Sequence, residues 1–355
     1  MSPPITAIPL PPTTCPCANV KRTCRLVMSE TQHVTIHMDR VTDFVDSIPT
    51  TTNITWDEEG WHYTASEYPP SAGQERKERI ALYILALDAI NFCFWPNEDH
   101  DDMKRSNPLE YNHLAVALTK LASSSSSEEY FFSPLHLSNI TVQEMKLAIE
   151  SHLLPGMTLP NIAERCRLWN ELGHVLLAPP FCTTMNGTCN NVLNTMLNLS
   201  QNDGPRLVKL LVSYIPGFRD ETIWNGKWVA LYKRAQITVG DLNAALNLNL
   251  SNMDHLTTFA DYRIPQLLRH VGILEYSTAL STKVDTFDET LTREEEVSIR
   301  AATVVVVDEL AALLHTRTAK KITAVELDWH LWQVGEALHE KGQLSPHHRV
   351  KTIFY

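Results

Sequence analysis

Between Ile80 and Trp95 the chain is almost continuously apolar, and the two strongly polar side chains in that run, Asp88 and Asn91, stand three residues apart. On a helix this spacing places both on one face, so a carboxylate and an amide project together from an apolar rod. The run is too short, and too polar at its centre, to span a bilayer. A buried carboxylate without a partner costs several kcal/mol, the scale of a whole domain's stability margin, so Asp88 requires an internal partner or a ligand. Phe92, Phe94 and Trp95, closed by Pro96, add flat apolar surface beside it, the usual lining of a small-molecule pocket.

Elsewhere the apolar positions recur at helical spacing. They predict helices over 34–48 (ended by Pro49), 141–151, 162–177, 189–199, 204–214, 264–274, 293–315 and 324–338, with two short helices within 229–248. The stretch after Pro49 that carries Trp56, Trp61, His62 and Tyr63 reads as a loop with a short strand, and 220–228 as a loop rich in Trp and Gly. Glycine is scarce, at 12 of 355 residues. The expectation is an all-α protein, one compact domain over 28–355 with at most a few short strands. Residues 1–27, rich in Pro and Thr, read as a disordered leader, and 98–107 and 122–129 as exposed insertions.

A formal charge of −11 disfavours polyanion-coating surfaces, so no stable nucleic-acid complex is expected, although a local basic site can still hold one anionic group. The seven cysteines are odd in number and contain no C-x-x-C pair, so neither a disulfide framework nor a zinc site is indicated. Cys15-Pro16-Cys17 with Cys24 has the residue types of a metal or redox cluster but an unusual spacing. The start lacks the pattern of a secretory signal. A reduced, cytoplasmic, membrane-free monomer without metal or cofactor is expected.

Asp261 falls on a turn before Pro265. That proline should leave Ile264 extended and stand in the first turn of a helix that Gly272 would end. A carboxylate there suits a general base or the stabilisation of a developing cation. The alternative is that Asp261 caps the helix and pairs with Arg263. Lys233 and Arg234 lie in an apolar run with Gln236, where they either hold a phosphate or carboxylate or snorkel from a half-buried helix. The tail carries His347, His348, Arg349 and Lys351 ahead of the apolar Ile353-Phe354-Tyr355, which argues for docking. No serine-hydrolase elbow, H-E-x-x-H, Walker or dinucleotide fingerprint is present, which leaves chemistry by carboxylates and cations around an aromatic pocket.

Leu87-Asp-Ala-Ile-Asn-Phe-Cys-Phe-Trp-Pro96, Leu231-Tyr-Lys-Arg-Ala-Gln236, Phe259-Ala-Asp-Tyr-Arg-Ile-Pro-Gln266 and Pro346-His-His-Arg349 together resemble the queuosine salvage proteins, from about residue 34 to the end. The resemblance implies an α-helical fold similar to helix-hairpin-helix DNA glycosylases. It also implies hydrolysis of the N-glycosidic bond of queuosine 5′-monophosphate, a small-molecule substrate, to release queuine for tRNA modification. It puts Asp261, with Lys233, in the catalytic role. Asp88 is then a natural partner for the cationic amine of the base, with Asn91 beside it. Phe92, Trp95 or Trp61 would stack on the deazapurine, and Lys233, Arg234, Arg263, Gln266, His347 and Arg349 are available to the rest of the nucleotide. A base-excision DNA glycosylase and a non-catalytic nucleotide-binding protein remain the alternatives.

Overall fold

The computed structural model describes residues 15–48, 54–57, 59–64, 73–95, 109–125, 130–182, 191–288, 290–317 and 321–355. Among them are fourteen α-helices and four short strands, a mainly helical architecture as the periodicity predicts.

Helix α1 (Pro16–Glu30) begins where disorder was expected. Its proline sits at the first helical position, where the missing N–H costs nothing. Cys17, Val20, Cys24 and Val27 recur every three or four residues and are fully buried, packed against the long helix α13 (Arg293–Arg317). The leader expectation is therefore corrected from residue 15 onward, and residues 1–14 lie outside the described residues. The helix expected over 34–48 is instead strand β1 (Val34–Ile36) followed by α2 (Met38–Val45). The β-branched start pairs antiparallel with β4 (Leu274–Tyr276), Thr35 opposite Glu275, a partner 240 residues away in sequence that no local pattern reveals.

Helix α3 (Gly73–Ala89) carries the apolar run and is buried from Glu78 onward. It packs on α4 (Tyr111–Ser124), α7 (Ile162–Leu176), α8 (Val192–Ser200) and α10 (Lys233–Leu246). Between these lie α5 (Pro134–Asn139), α6 (Val142–Glu150) and α9 (Gly204–Tyr214). The insertion expected over 122–129 starts inside α4, where Ala122 is buried. Residues 126–129 and the insertion expected over 98–107 lie outside the described residues. The stretch 220–228 forms a hairpin, β2 (Glu221–Trp224) with β3 (Lys227–Ala230). Asn225 and Gly226 both take positive φ, the turn geometry that matches strand twist. One helix, α10, follows in place of two.

Helix α11 (Arg263–His270) ends ahead of Gly272 at φ +74°, as expected, but it starts before Pro265, so Ile264 is helical. A proline in the first turn removes an N–H that has no helical partner anyway. Helices α12 (Thr278–Asp285), α13 and α14 (Ala324–Glu340) complete the chain. Gly240 lets α10 approach its neighbours: a Cβ there would meet Phe259 Cζ at 3.0 Å and Val325 Cγ1 at 3.2 Å. The tail docks, with His348 and Tyr355 buried. Cys182 is disulfide-bonded, against the expectation of a chain without disulfides, whereas Cys15, Cys17, Cys24, Cys93 and Cys166 are free. Among the described residues no helix is long and apolar enough to cross a membrane.

If the α1 stripe is core, Val20→Asp places an unpaired charge in it and should cost several kcal/mol in urea or thermal unfolding. An unchanged midpoint would contradict the packing of α1.

Candidate active site

The helical geometry assumed for Asp88 and Asn91 does not hold, because α3 stops at Ala89. Its last carbonyl, Ala89 O, and those of the next residues are gathered by buried cations. Arg165 donates to Pro160 O (2.8 Å), Phe92 O (2.6 Å), Cys93 O (2.9 Å) and Ile90 O. Arg234 donates to Ala89 O and Gly217 O, and Lys233 Nζ to Asn91 O at 3.2 Å. Cations at a helix C-terminus meet its negative end and satisfy orphan acceptors together. Cys93 takes φ 42°, and its N–H donates to Tyr355 O at 2.8 Å, so the tail locks the turned segment.

This turn forms one wall of a solvent-open pocket whose empty space, counting the part open to solvent, is about 780 Å³. Trp56, Trp61, Phe94, Tyr111, Trp329 and Trp332 supply flat apolar walls, joined by Phe259, Tyr262 and Tyr355. Five carboxylates line it, Asp57, Glu59, Asp241, Asp261 and Asp328, and among the described residues Lys233 is its one lining lysine or arginine.

The segment 257–261 is held from three sides. Gln236 exchanges hydrogen bonds with Thr257, through Nε2 to Oγ1 (2.8 Å) and from the Thr257 N–H to Oε1 (2.9 Å). Asp328 Oδ1 accepts from Phe259 N (2.6 Å) and from the Thr258 hydroxyl. Arg300, in a buried pair with Asp220, donates Nε to Ala260 O at 2.8 Å. Asp261 follows directly. Its Oδ1 accepts from the N–H groups of Arg263 (3.0 Å) and Ile264 (3.2 Å), so it does cap α11. The expected pairing with the Arg263 side chain is absent; that guanidinium turns to Glu336 (2.5 Å), Gln266 (2.6 Å) and Glu110 (3.3 Å).

Electrostatically the acids crowd one lysine. Burial pushes the Asp261 carboxyl above its ordinary range, while Lys233 and the two N–H donors pull it back. Burial lowers the Lys233 pKa, and the charges of Asp261 and Asp88 oppose that. Asp241 and Asp328 are pushed well up, by burial first and then by the negative charges of Asp88 and Asp261 respectively. Asp88 is fully buried behind the pocket wall and raised to about 7 by burial, against the pull of Lys233. Neither of its oxygens has a hydrogen bond of ordinary geometry, although Thr238 and Asn91 stand close enough to favour its charged form.

Of the residues singled out from sequence for a role at the site, Asp261, Lys233, Asn91, Trp61 and Phe94 line the pocket together. The others stand outside its lining. Phe92 lies under the Arg165 guanidinium at 4.4 Å, and Trp95 meets Tyr262 edge-on at 5.5 Å. Gln266 Nε2 donates to Ser345 O (2.6 Å), and Arg234 and Arg263 are committed to the partners above. His347 stacks on Tyr262 at 4.5 Å, and Arg349 covers Phe287 at 4.2 Å. Sequence reasoning missed Asp57, Asp241 and Asp328. The signal for the last two was an aspartate inside an apolar helical face, Val239-Gly-Asp-Leu242 and Leu327-Asp-Trp329.

Fold and site define a mainly helical protein with a deep, acid-rich aromatic pocket of small-molecule size. The chain belongs to the queuosine salvage protein family, whose model matches residues 71–355. It is 38% identical over 283 residues to the queuosine 5′-phosphate N-glycosylase/hydrolase of Dictyostelium discoideum, covering 78% of this chain and 79% of that protein. It is 32% identical over 343 residues to the protein so named in Sphaerobacter thermophilus, covering 95% and 97%. The Mus musculus protein of the same name is 28% identical over 288 residues.

The Asp88 shift has a sign. Its folded value of about 7 exceeds the ordinary 3.8, so between those pH values the native state holds more protons than the unfolded chain. The resulting stability is full below that window and is lost as pH rises through it. Asp88→Asn should therefore gain stability relative to the unsubstituted protein as pH rises from 4 to 8, read from denaturation midpoints. A difference that stays constant across the range would show that Asp88 is not protonated in the fold.

Proposed function

We infer that this chain hydrolyses the N-glycosidic bond of queuosine 5′-monophosphate and releases queuine. The observation that carries the reading is Asp261: a pocket carboxylate oriented by two backbone N–H groups beside a buried lysine, in a member of this family. The leaving base is a 7-deazaguanine with carbon in place of N7, so protonation there is unavailable and more of the barrier has to be lowered at the ribose. A fixed carboxylate stabilises an oxocarbenium-like state and takes a proton from the attacking water. Lys233 donates to Asn91 O, and its charge favours the ionised form of Asp261.

The base bears a secondary ammonium on its cyclopentenediol arm. Five lining carboxylates favour such a cation, and Asp241 has an oxygen without a hydrogen-bond partner, with the Asp88 carboxyl buried nearby. We assign the ammonium to Asp241 rather than to the enclosed Asp88, and stacking of the deazapurine to the tryptophan walls. The charge of −11 disfavours a nucleic-acid substrate and so supports a free nucleotide.

Incubation of the pure protein with queuosine 5′-monophosphate should yield free queuine by mass spectrometry; no release would end this reading. Asp261→Asn should keep ligand affinity while lowering turnover by ~10²-fold or more. Near-normal turnover would remove Asp261 from the mechanism. Asp241→Asn should weaken binding of queuine by about tenfold but leave a 7-deazaguanine without the amine arm unaffected, by calorimetry. Equal losses for both ligands would displace the ammonium from Asp241.

A further inference from the structure

Three side chains from two parts of the chain form a hydrogen-bonded line along the pocket wall. His62 Nδ1 meets Asp57 Oδ1 at 2.8 Å, and His62 Nε2 meets the Tyr111 hydroxyl at 2.7 Å. All three line the pocket. The imidazole is 8% exposed and stacks on Trp56 at 4.4 Å. Its loop is pinned on three sides. Asp57 accepts from the N–H groups of Trp61 (2.9 Å) and His62 (3.2 Å), Thr119 Oγ1 donates to Trp61 O (2.8 Å), and Gln333 Nε2 donates to Thr55 O (3.2 Å). The loop precedes the stretch that the family model matches.

The line has two states with opposite polarity. With His62 neutral and its proton on Nδ1 toward Asp57, Nε2 accepts from the Tyr111 O–H, and the pocket sees only a phenol lone pair. With His62 protonated, Nε2–H donates to the Tyr111 oxygen, and the phenolic proton is free to turn into the pocket. Burial, then the charges of Asp241 and Asp88, keep Tyr111 a phenol at neutral pH, so it transmits a proton without resting as phenolate.

We propose that Asp57, His62 and Tyr111 are a proton relay that protonates the departing deazapurine, the role that N7 cannot fill. The inference rests on the hydrolase reading above. As the C1′–N bond breaks, its electron pair passes to the base. Tyr111 gives its proton to the base, and His62 Nε2–H replaces it, leaving a neutral imidazole on Asp57. Water bonds to C1′ and loses its proton to Asp261, and exchange with solvent resets both ends. Tyr111 touches the base and is catalytic, whereas His62 and Asp57 act through it. The titratable and charged groups facing the line are Glu59 on its own loop, Tyr83 and Asp88 on α3, Lys233 and Asp241 on α10, Asp261 before α11, and Asp328 on α14.

The test is the pH profile of kcat for queuosine 5′-monophosphate in the unsubstituted protein, Tyr111→Phe, His62→Gln and Asp57→Asn. A proton donor acts only when protonated, so the unsubstituted enzyme should lose turnover on the alkaline side. Tyr111→Phe should lower kcat by ~10²-fold, and both it and His62→Gln should lose that alkaline limb with KM changed far less. A drop by one factor at every pH, with KM raised, would mean that the residues only tie the loop, and would overturn the relay. Spectra of ¹⁵N-histidine-labelled, ligand-free protein read the line without substrate: Tyr111→Phe should shift the His62 Nε2 resonance. An unmoved resonance refutes the relay even if the nucleotide proves not to be the substrate, whereas absent queuine release with a shifted resonance would fail the hydrolase reading and, with it, the catalytic step.

Discussion

Helix α3 ends inside the protein, where its last carbonyl, Ala89 O, and those of residues 90–93 lie away from solvent. Arg234, Arg165 and Lys233 satisfy these oxygens, through Cys93. The cost of burying three cations is offset because each replaces hydration with carbonyl oxygens at the negative end of a helix. From this knot the chain turns at Cys93, the tail docks onto it through Tyr355, and Lys233 is left facing the pocket. The pocket is thus a consequence of how one buried helix is terminated.

The second constraint is charge crowding. Asp88, Asp241, Asp261 and Asp328 share essentially one lysine, so they cannot all be ionised cheaply in a dry site, and burial pushes each upward. Such a cluster destabilises the empty protein and favours a cationic ligand, an imbalance typical of binding sites. Asp220 with Arg300 shows the contrast: a buried acid with a bidentate partner serves to anchor backbone, here the carbonyl next to Asp261.

The helical class, most helix spans, the Gly272 stop and the helix-capping position of Asp261 were legible in the chain, because helical periodicity, capping and backbone restrictions act over a few residues. The NG turn of β2–β3 carried a local signal too, but the Trp-rich context read as loop. Strands β1 and β4 were not legible, since each is three residues long and exists only because the other pairs with it.

The site divides the same way. Sequence determined which residues are chemically able to act: a carboxylate before a helix, a lysine and an arginine in an apolar run, aromatics beside an acid. Tertiary structure decided which of them face the pocket. Lys233 and Arg234 are adjacent, yet one lines the cavity and the other is spent on Ala89 and Gly217 carbonyls. Arg263, His347 and Arg349 go to carboxylates and aromatic faces, while Asp57, Asp241 and Asp328 arrive from distant elements. A side chain's partner depends on what the rest of the fold brings within about 3 Å of it, and that distance is set by packing rather than by neighbours in sequence.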